Sequence, residues 1–170
     1  CISPALICEN ENPVEVDYAA IFQARRPLLE KVVANIKAQG LPAEYGIFLT
    51  ENDFWIHTFA EYMAIKEHFD LKPWTDWEDQ GARLRHHETL EHYRHLLADR
   101  IDYHRITQYL FFSQWKALKA YANAKGIEIV GDMPIYIAAD SADMWANPHF
   151  FKIDDEGKPS VVAGCPPDTF

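Results

Sequence analysis

The sequence feature that most constrains the fold is the stretch from Ile127 to Pro148, IEIVGDMPIYIAADSADMWANP. It opens with a β-branched run that follows Lys125 and Gly126 and ends at Gly131, a pattern typical of a strand buried on both faces of a parallel sheet. Asp132 then lies at the carboxyl end of the predicted strand, where α/β proteins bind ligands. An ordinary strand followed by a capped turn is the alternative interpretation.

A short polar segment follows, in which Asp140, Ser141 and Asp143 stand close to Trp145. An aromatic ring beside several hydrogen-bond acceptors is what a sugar requires, because sugars offer both C–H faces and hydroxyls. The same residues fit a structural role, since Asp140 or Asp143 can cap a short helix over Ser141 to Trp145.

Composition excludes several classes of protein. Hydrophobic residues make up 48% and aromatic residues 14% of the 170 residues, as in a well-packed folded protein. The formal charge of −10 argues against nucleic acid or an anionic membrane as partner. No run approaches the roughly 20 apolar residues of a membrane span. The odd number of cysteines (Cys1, Cys8, Cys165), together with the lack of a signal-peptide pattern, predicts free thiols in the cytoplasm.

Both ends of the sequence lead us to expect a fragment of a longer protein. It begins without methionine, and it stops at Phe170 directly after a turn-forming Pro-Pro pair.

Helical patterns dominate the first three-quarters of the chain. Asp17 is positioned to cap a helix that ends at Gly40, and Pro27 should kink or split it. Thr50 and Asp53 predict the start of a second helix through a variant of the capping box.

The run from His87 to Lys125 contains almost no helix breaker, so it predicts one long helix or two helices that meet near Ala98. Its apolar stripe predicts burial of the second half on more than one side, and Gly126 is the expected C-cap. Further on, the apolar runs 150–153 and 160–163 predict a hairpin around a turn that contains glycine.

The histidines invite a metal hypothesis that the spacing does not favour. His87 and His92 are five residues apart, so on a helix their side chains point about 140° apart and cannot share one ion. His92 and His95 can share a face with nearby glutamates, but the surrounding arginines are more typical of a solvated helix face.

Most tryptophans and phenylalanines of the helices have the spacing of core residues, and this holds for Trp55, Phe111, Phe112 and Trp115. Trp74 and Trp77 lie in a proline-containing break. Packing is the favoured interpretation for them as well, and sugar stacking is the alternative.

Three motifs together resemble the 4-α-glucanotransferases, the amylomaltase or disproportionating-enzyme family. They are PWTDW at 73–77, QYLFFSQW at 108–115, and the whole run from GDMPIYIAADSADMWANP at 131–148 to AGCPPDTF at 163–170. The resemblance implies an α/β fold, a fragment of a (β/α)₈ TIM barrel with a mainly helical inserted subdomain, so that this chain is mostly α. Residues 1–100 would be the insertion, 101–148 a barrel helix, inner strand and loop, and 149–170 a hairpin of the lobe that covers the cleft.

The resemblance also implies an activity, the transfer of 1,4-α-glucan segments between maltooligosaccharides, starch or glycogen with retention of configuration. Carboxylates perform this chemistry through a covalent glycosyl–enzyme intermediate, so no cofactor or metal is implied. The family's nucleophile, acid/base and sugar-gripping carboxylates lie further along its sequence than this chain extends. The chain alone is therefore expected to be inactive.

What the resemblance transfers to this chain is the shell around the substrate. Asp132 matches a strand-end aspartate of the donor side, and the DSAD-x-W segment matches one that contacts glucan or orients its loop. Asp168 and Phe170 match a mobile loop over the acceptor side, where Thr169 replaces a frequent tyrosine. The predicted substrate-binding residues are Asp132, Ser141, Asp143, Trp145, Asp168 and Phe170. A non-catalytic glucan-binding module and a helical module that dimerises through its aromatic face are the alternative functions.

Overall fold

The structure, a computed structural model, describes residues 16–154, 157–161 and 164. The chain divides into two compact units, one up to Phe48 and one from Leu49 onward. The described residues are mostly helical, and no helix among them is long and apolar enough to cross a membrane.

The first unit contains helix α1, Tyr18–Gln39. The carboxylate of Asp17 accepts a hydrogen bond from the amide of Ala20 at 2.9 Å, which confirms the predicted cap. Gly40, with φ of 94°, follows the last turn. The helix does not split at Pro27: it loses the hydrogen bond that a proline cannot donate, and continues.

Helix α2, Ala43–Glu51, follows and runs across the boundary between the two units. Sequence periodicity did not predict it. Thr50 lies inside α2, and Asn52 precedes the next helix without a side-chain cap, so the capping role predicted for Thr50 and Asp53 is wrong. A break of one residue between two helices leaves no room for the reciprocal hydrogen bonds of a capping box.

The second unit is built on two long helices and three shorter ones. They are α3 (Asp53–His68), α4 (Gln80–Arg83), α5 (His87–Leu96), α6 (Ala98–Ala124) and α7 (Ala142–Ala146). Single 3-10 turns precede α4 and follow α7, at Trp74–Asp76 and Pro148–Phe150.

The run from His87 to Lys125 forms two helices, α5 and α6, and Leu97 separates them. Gly126 ends α6 in the left-handed region, with φ of 74°. The amide of Ile127 donates to the carbonyl of Ala122 at 3.1 Å, which is the long return hydrogen bond of a glycine C-cap. Both predicted boundaries are confirmed.

An aromatic core lies where α3, α5 and α7 meet the segment around α4. The centroid of the Trp77 ring lies 5.7 Å from that of Tyr62, 5.5 Å from that of Phe69 and 5.8 Å from that of Trp145. Trp74 and Trp77 are both buried, which confirms the packing interpretation for that pair. The buried members of this cluster are Tyr62, Ile65, Trp74, Trp77, Ala82, Leu90, Tyr93, Met144 and Trp145.

The second half of α6 departs from the prediction. Phe111, Trp115 and Leu118 are exposed, and the buried residues of α6 all lie between Ile101 and Ile106. The apolar stripe is real, but a stripe is buried only where another element covers it. Within the second unit, α6 packs mainly against α3 and α5.

The predicted strand also departs from the structure. Residues 127–130 have no regular structure, and Val130 is 90% exposed. A strand is stable only when a neighbouring strand satisfies its backbone groups, and the described part of the chain supplies no such neighbour.

The predicted hairpin is reduced to one antiparallel bridge between Ile153 and Pro159. Two backbone hydrogen bonds close it, Asp154 to Lys158 and Ser160 to Lys152, each at 2.9 Å. Val162 and Ala163, part of the predicted second strand, lie outside the described residues.

Candidate functional site

The polar segment 139–147 is attached to the helical core through the carboxylate of Asp140. Its Oδ1 accepts a hydrogen bond from the hydroxyl of Tyr62 at 2.6 Å and from the amide of Trp74 at 3.3 Å. The ammonium group of Lys66 donates to Oδ2. The carbonyl of the preceding residue, Ala139, accepts from the indole N–H of Trp74 at 2.8 Å. One carboxylate therefore connects three points of the core to the segment.

The electrostatics of this connection favour a fixed anion. Burial by itself raises the pKa of Asp140, but the hydrogen bonds from Lys66 and Tyr62 outweigh it and lower the pKa below its ordinary value. Burial and the hydrogen bond to Asp140 raise the pKa of Tyr62, so its hydroxyl remains a donor. Asp140 is thus held ionised, which suits a structural anchor and not a proton donor.

Ser141 begins helix α7: its hydroxyl accepts from the amide of Met144 at 3.3 Å. The cap predicted for Asp140 or Asp143 is therefore supplied by the residue between them. Asp140 is unavailable because its carboxylate binds α3, and Asp143 lies two residues past the N-cap, inside the helix. The side chain of Asp143 is exposed in the first turn of α7.

Trp145 is only 1% exposed. Its indole N–H donates to the carbonyl of Ala82 at 3.0 Å, and its ring packs against Tyr62 at 5.6 Å. The guanidinium of Arg85 lies 4.2 Å from the ring centre. Direct stacking of a sugar on Trp145 would require these neighbours to move, so the structure gives this ring a packing position.

The remaining predicted residues are not brought into this arrangement. Asp132 is exposed in the irregular segment 127–138 and makes no hydrogen bond with another described residue. Asp168 and Phe170 lie outside the described residues. Of the six predicted residues, the structure therefore joins Ser141, Asp143 and Trp145 on one short helix.

The histidines of α5 do not form a metal site in the part of the chain that the structure describes, where no group of three potential ligands has suitable geometry. His87, His92 and His95 are exposed. They belong to a solvated helix face, as their arginine-rich surroundings indicated.

Sequence reasoning missed Tyr62 and Lys66 as partners of Asp140. The two are four residues apart on α3 and therefore share a helix face, which was a usable signal. Nothing local could connect that face to Asp140, because 78 and 74 residues separate it from Tyr62 and Lys66.

Comparison with known proteins identifies the family. The family model described as 4-alpha-glucanotransferase matches residues 4–170, so the chain belongs to the 4-alpha-glucanotransferase family. The 4-alpha-glucanotransferase of Streptococcus pneumoniae serotype 4 is 59% identical over 156 residues, which are 92% of this chain and 31% of the relative. That of Thermus thermophilus is 40% identical over 158 residues, 91% of this chain and 31% of the relative.

A solved structure agrees. Amylomaltase from Streptococcus agalactiae in complex with acarbose superposes with a TM-score of 0.86 at 48% identity, covering 91% of this chain and 31% of that one. The chain thus spans about a third of the length of the relatives that it matches.

Proposed function

We propose that this chain belongs to a cytoplasmic enzyme that transfers 1,4-α-glucan segments between maltooligosaccharides, starch or glycogen by a retaining double displacement. The observation that carries the proposal is the likeness to the amylomaltase of Streptococcus agalactiae, at 48% identity over 91% of the chain. In this proposal the catalytic carboxylates lie beyond the chain. No cofactor is needed, because paired carboxylates suffice for glycosyl transfer.

The proposed architecture is a part of a (β/α)₈ barrel. Residues 1–100 form its helical insertion, 101–148 its helix, inner strand and loop, and 149–170 the start of a lobe over the cleft. Large apolar side chains that are exposed on α6 and in the segment after it support this assignment, because a barrel would cover them. They are Phe111, Trp115, Leu118 and Tyr121 on α6, followed by Ile127, Ile129, Val130 and Ile135.

Within that architecture the segment 139–147 positions the substrate shell. Asp140 anchors the segment, Ser141 starts α7, and Trp145 locks it to the core. We propose that Asp132 and Asp143, both exposed, meet sugar hydroxyls. Asp168 and Phe170 complete the shell in this proposal.

A chimera tests the proposed activity. The 156 matching residues of the pneumococcal 4-alpha-glucanotransferase are replaced with their counterparts from this chain, and release of glucose from maltotriose is followed. We expect the chimera to disproportionate maltotriose, because the replaced segment retains the anchor and the shell. The 170-residue chain assayed alone should release no glucose.

The Asp132→Ala chimera is the matched test of the site, with Glu88→Gln, an exposed carboxylate on α5 outside the proposed shell, as its control. Loss of one sugar contact should reduce kcat/KM by about tenfold or more in the first chimera and leave the second unchanged. A folded but inactive parent chimera would contradict the proposed function. Activity of the isolated chain would contradict the placement of the catalytic carboxylates.

A non-catalytic module that binds partners through α6 is the second candidate. The exposed aromatic face of that helix favours it. A folded but inactive chimera would select this candidate over the transferase, provided that the isolated chain shows a mass that rises with concentration in light scattering.

A further inference from the structure

A cleft of about 240 Å³ lies between the start of α3 and helix α7. Its walls combine aromatic rings with polar groups of both charges, and the lining residues that matter here are Phe54, Trp55, Thr58, Arg85, Asp143 and Asn147. Such a mixture of apolar faces and a few convergent polar groups is the usual composition of a small-molecule site.

Three polar side chains of the cleft, those of Arg85, Asp143 and Thr58, form no ion pair or hydrogen bond within the described structure. Asp143 and Arg85 carry opposite charges and line the same cleft, yet they form no ion pair with each other or with another described residue. The hydroxyl of Thr58 likewise makes no hydrogen bond there. Buried polar groups of folded proteins are usually hydrogen-bonded, and the buried Nη1 of Arg85 has no partner in the described structure, so it indicates an acceptor that a ligand supplies. Asp143 is exposed on the same cleft, and its carboxylate is available as an acceptor.

Arg85 is held in position at an energetic cost. Its backbone is in the left-handed region, with φ of 57°, which a residue with a Cβ rarely adopts. The guanidinium stacks on the ring of Trp145 at 4.2 Å, which fixes it beside the cleft. Burial lowers the pKa of Arg85, and the charge of Glu61 opposes that shift only in part.

The aromatic wall is equally well placed. Phe54 is 84% exposed at the mouth of the cleft. Trp55 beside it is fixed: its indole N–H donates to Asn52 at 3.0 Å, and its ring packs against Phe59 at 5.8 Å and Phe112 at 5.7 Å. The fixed ring of Trp55 and the exposed ring of Phe54 together offer an apolar surface on which the C–H face of a pyranose can pack.

We propose that this cleft binds a neutral α-glucan, with Phe54 against the sugar face, Asp143 accepting from a hydroxyl, and Arg85 and Thr58 donating to ring or hydroxyl oxygens. A neutral polyol fits because each hydroxyl both donates and accepts, so one sugar bridges an unpaired anion and an unpaired cation without a net change of charge. The identity of the ligand as a glucan rests on the proposed function, whereas the existence of the site rests on the cleft itself.

Affinity electrophoresis of the full chain tests the site, with glycogen in the native gel as the probe. We expect glycogen to retard the unaltered chain, and Phe54→Ala to weaken the apparent affinity about tenfold. Thr58→Val should weaken it in the same direction. Phe150→Ala, which removes an aromatic ring that is also exposed but lies outside the cleft, should retain the affinity of the unaltered chain.

Far-UV circular dichroism of each variant separates loss of binding from loss of fold. Equal retardation of Phe54→Ala and the unaltered chain, or no retardation of the unaltered chain, would overturn the site. The chimera assay reports independently on transfer: glycogen binding that depends on Phe54 with an inactive chimera would keep the site and remove the proposed activity. If the chimera is active but glycogen does not retard the 170-residue chain, the proposed activity is supported and the proposed cleft site is overturned.

Discussion

Glu67 shows how single residues tie the two long helices of the second unit together. Its carboxylate lies on α3, and from α6 the guanidinium of Arg100 donates to it at 2.7 Å. The ring of His104 approaches it at 3.5 Å. Burial by itself raises the pKa of Glu67, but the interactions with His104 and Arg100 outweigh it and lower the pKa from 4.5 to about 2.

This shift predicts an acid-sensitive contribution to stability. Because the folded pKa is depressed, the contribution is fully present above about pH 4.5 and is lost as pH falls toward 2. Glu67→Gln should therefore lower the free energy of unfolding by about 2 kcal/mol at pH 7, and the difference should shrink as pH decreases. Urea unfolding at several pH values, followed by tryptophan fluorescence, measures it.

Glu128→Gln is the matched control, since Glu128 is exposed in the irregular segment after α6. It should leave stability unchanged at every pH. A Glu67→Gln deficit that is the same at pH 7 and pH 3 would mean that packing, and not ionisation, explains the loss.

Asp140 and Asp143 belong to one motif but differ in the partners of their carboxylates. The carboxylate of Asp140 accepts hydrogen bonds from Tyr62, Lys66 and Trp74, so its charge is neutralised and hydrogen-bonded within the fold. Asp143, three residues later, has none of these partners, and it faces a cleft. The two aspartates of this motif thus differ in their surroundings, since the core binds the carboxylate of Asp140 and leaves that of Asp143 exposed.

At the scale of elements, Gly157 is packed directly against the core residue Trp74. Gly157 has φ of 83°, and a Cβ added there would lie 2.7 Å from Cη2 of Trp74. Gly126, at the end of α6, has a similar φ of 74° but no heavy atom within 4 Å of an added Cβ. The two glycines therefore share a backbone requirement and differ in the space around them.

These two glycines predict alanine variants that lose different amounts of stability. Gly126→Ala should cost about 1 kcal/mol for the left-handed backbone alone. Gly157→Ala should cost about 2–4 kcal/mol, because displacement of the Trp74 ring adds an overpacking penalty. Urea unfolding of both variants gives the comparison, and equal losses would show that the turn moves away from Trp74 at little cost.

At the scale of the whole molecule, the exposed apolar face of α6 should make the 170-residue chain self-associate. Phe111, Trp115 and Leu118 lie at helical spacing on one face and are all exposed. Contiguous patches of this kind mark surfaces that another element or chain covers. We expect the chain to bind a hydrophobic dye and to show a mass that rises with concentration.

Replacing Trp115 and Leu118 with serine should reduce dye fluorescence severalfold and lower the mass toward 19.7 kDa. Phe150→Ser, an exposed aromatic outside that face, should change neither. Fluorescence titration and light scattering provide the measurements. Unchanged dye binding in the double variant would show that the dye binds to a surface other than this face of α6.

The sequence by itself determined the local features and the family. The cap at Asp17 and the end of α6 at Gly126 both depend on groups within a few residues of each other, whereas the sequence left open whether α5 and α6 are one helix or two. The motifs from residue 73 onward likewise indicated the family that the comparison with known proteins then established.

The tertiary structure alone decided which apolar residues are buried and which polar residues meet. Ile101 and Phe111 both belong to the apolar stripe predicted for α6, yet Ile101 is buried and Phe111 is exposed, because burial depends on whether another element lies against the side chain. The partners of Asp140 lie 74 and 78 residues away. The β-branched run after Gly126 remains irregular, since a strand depends on hydrogen bonds from a neighbour and not on its own composition. Local hydrogen bonds are set by adjacent residues, whereas burial and pairing are set by whatever the rest of the chain places opposite.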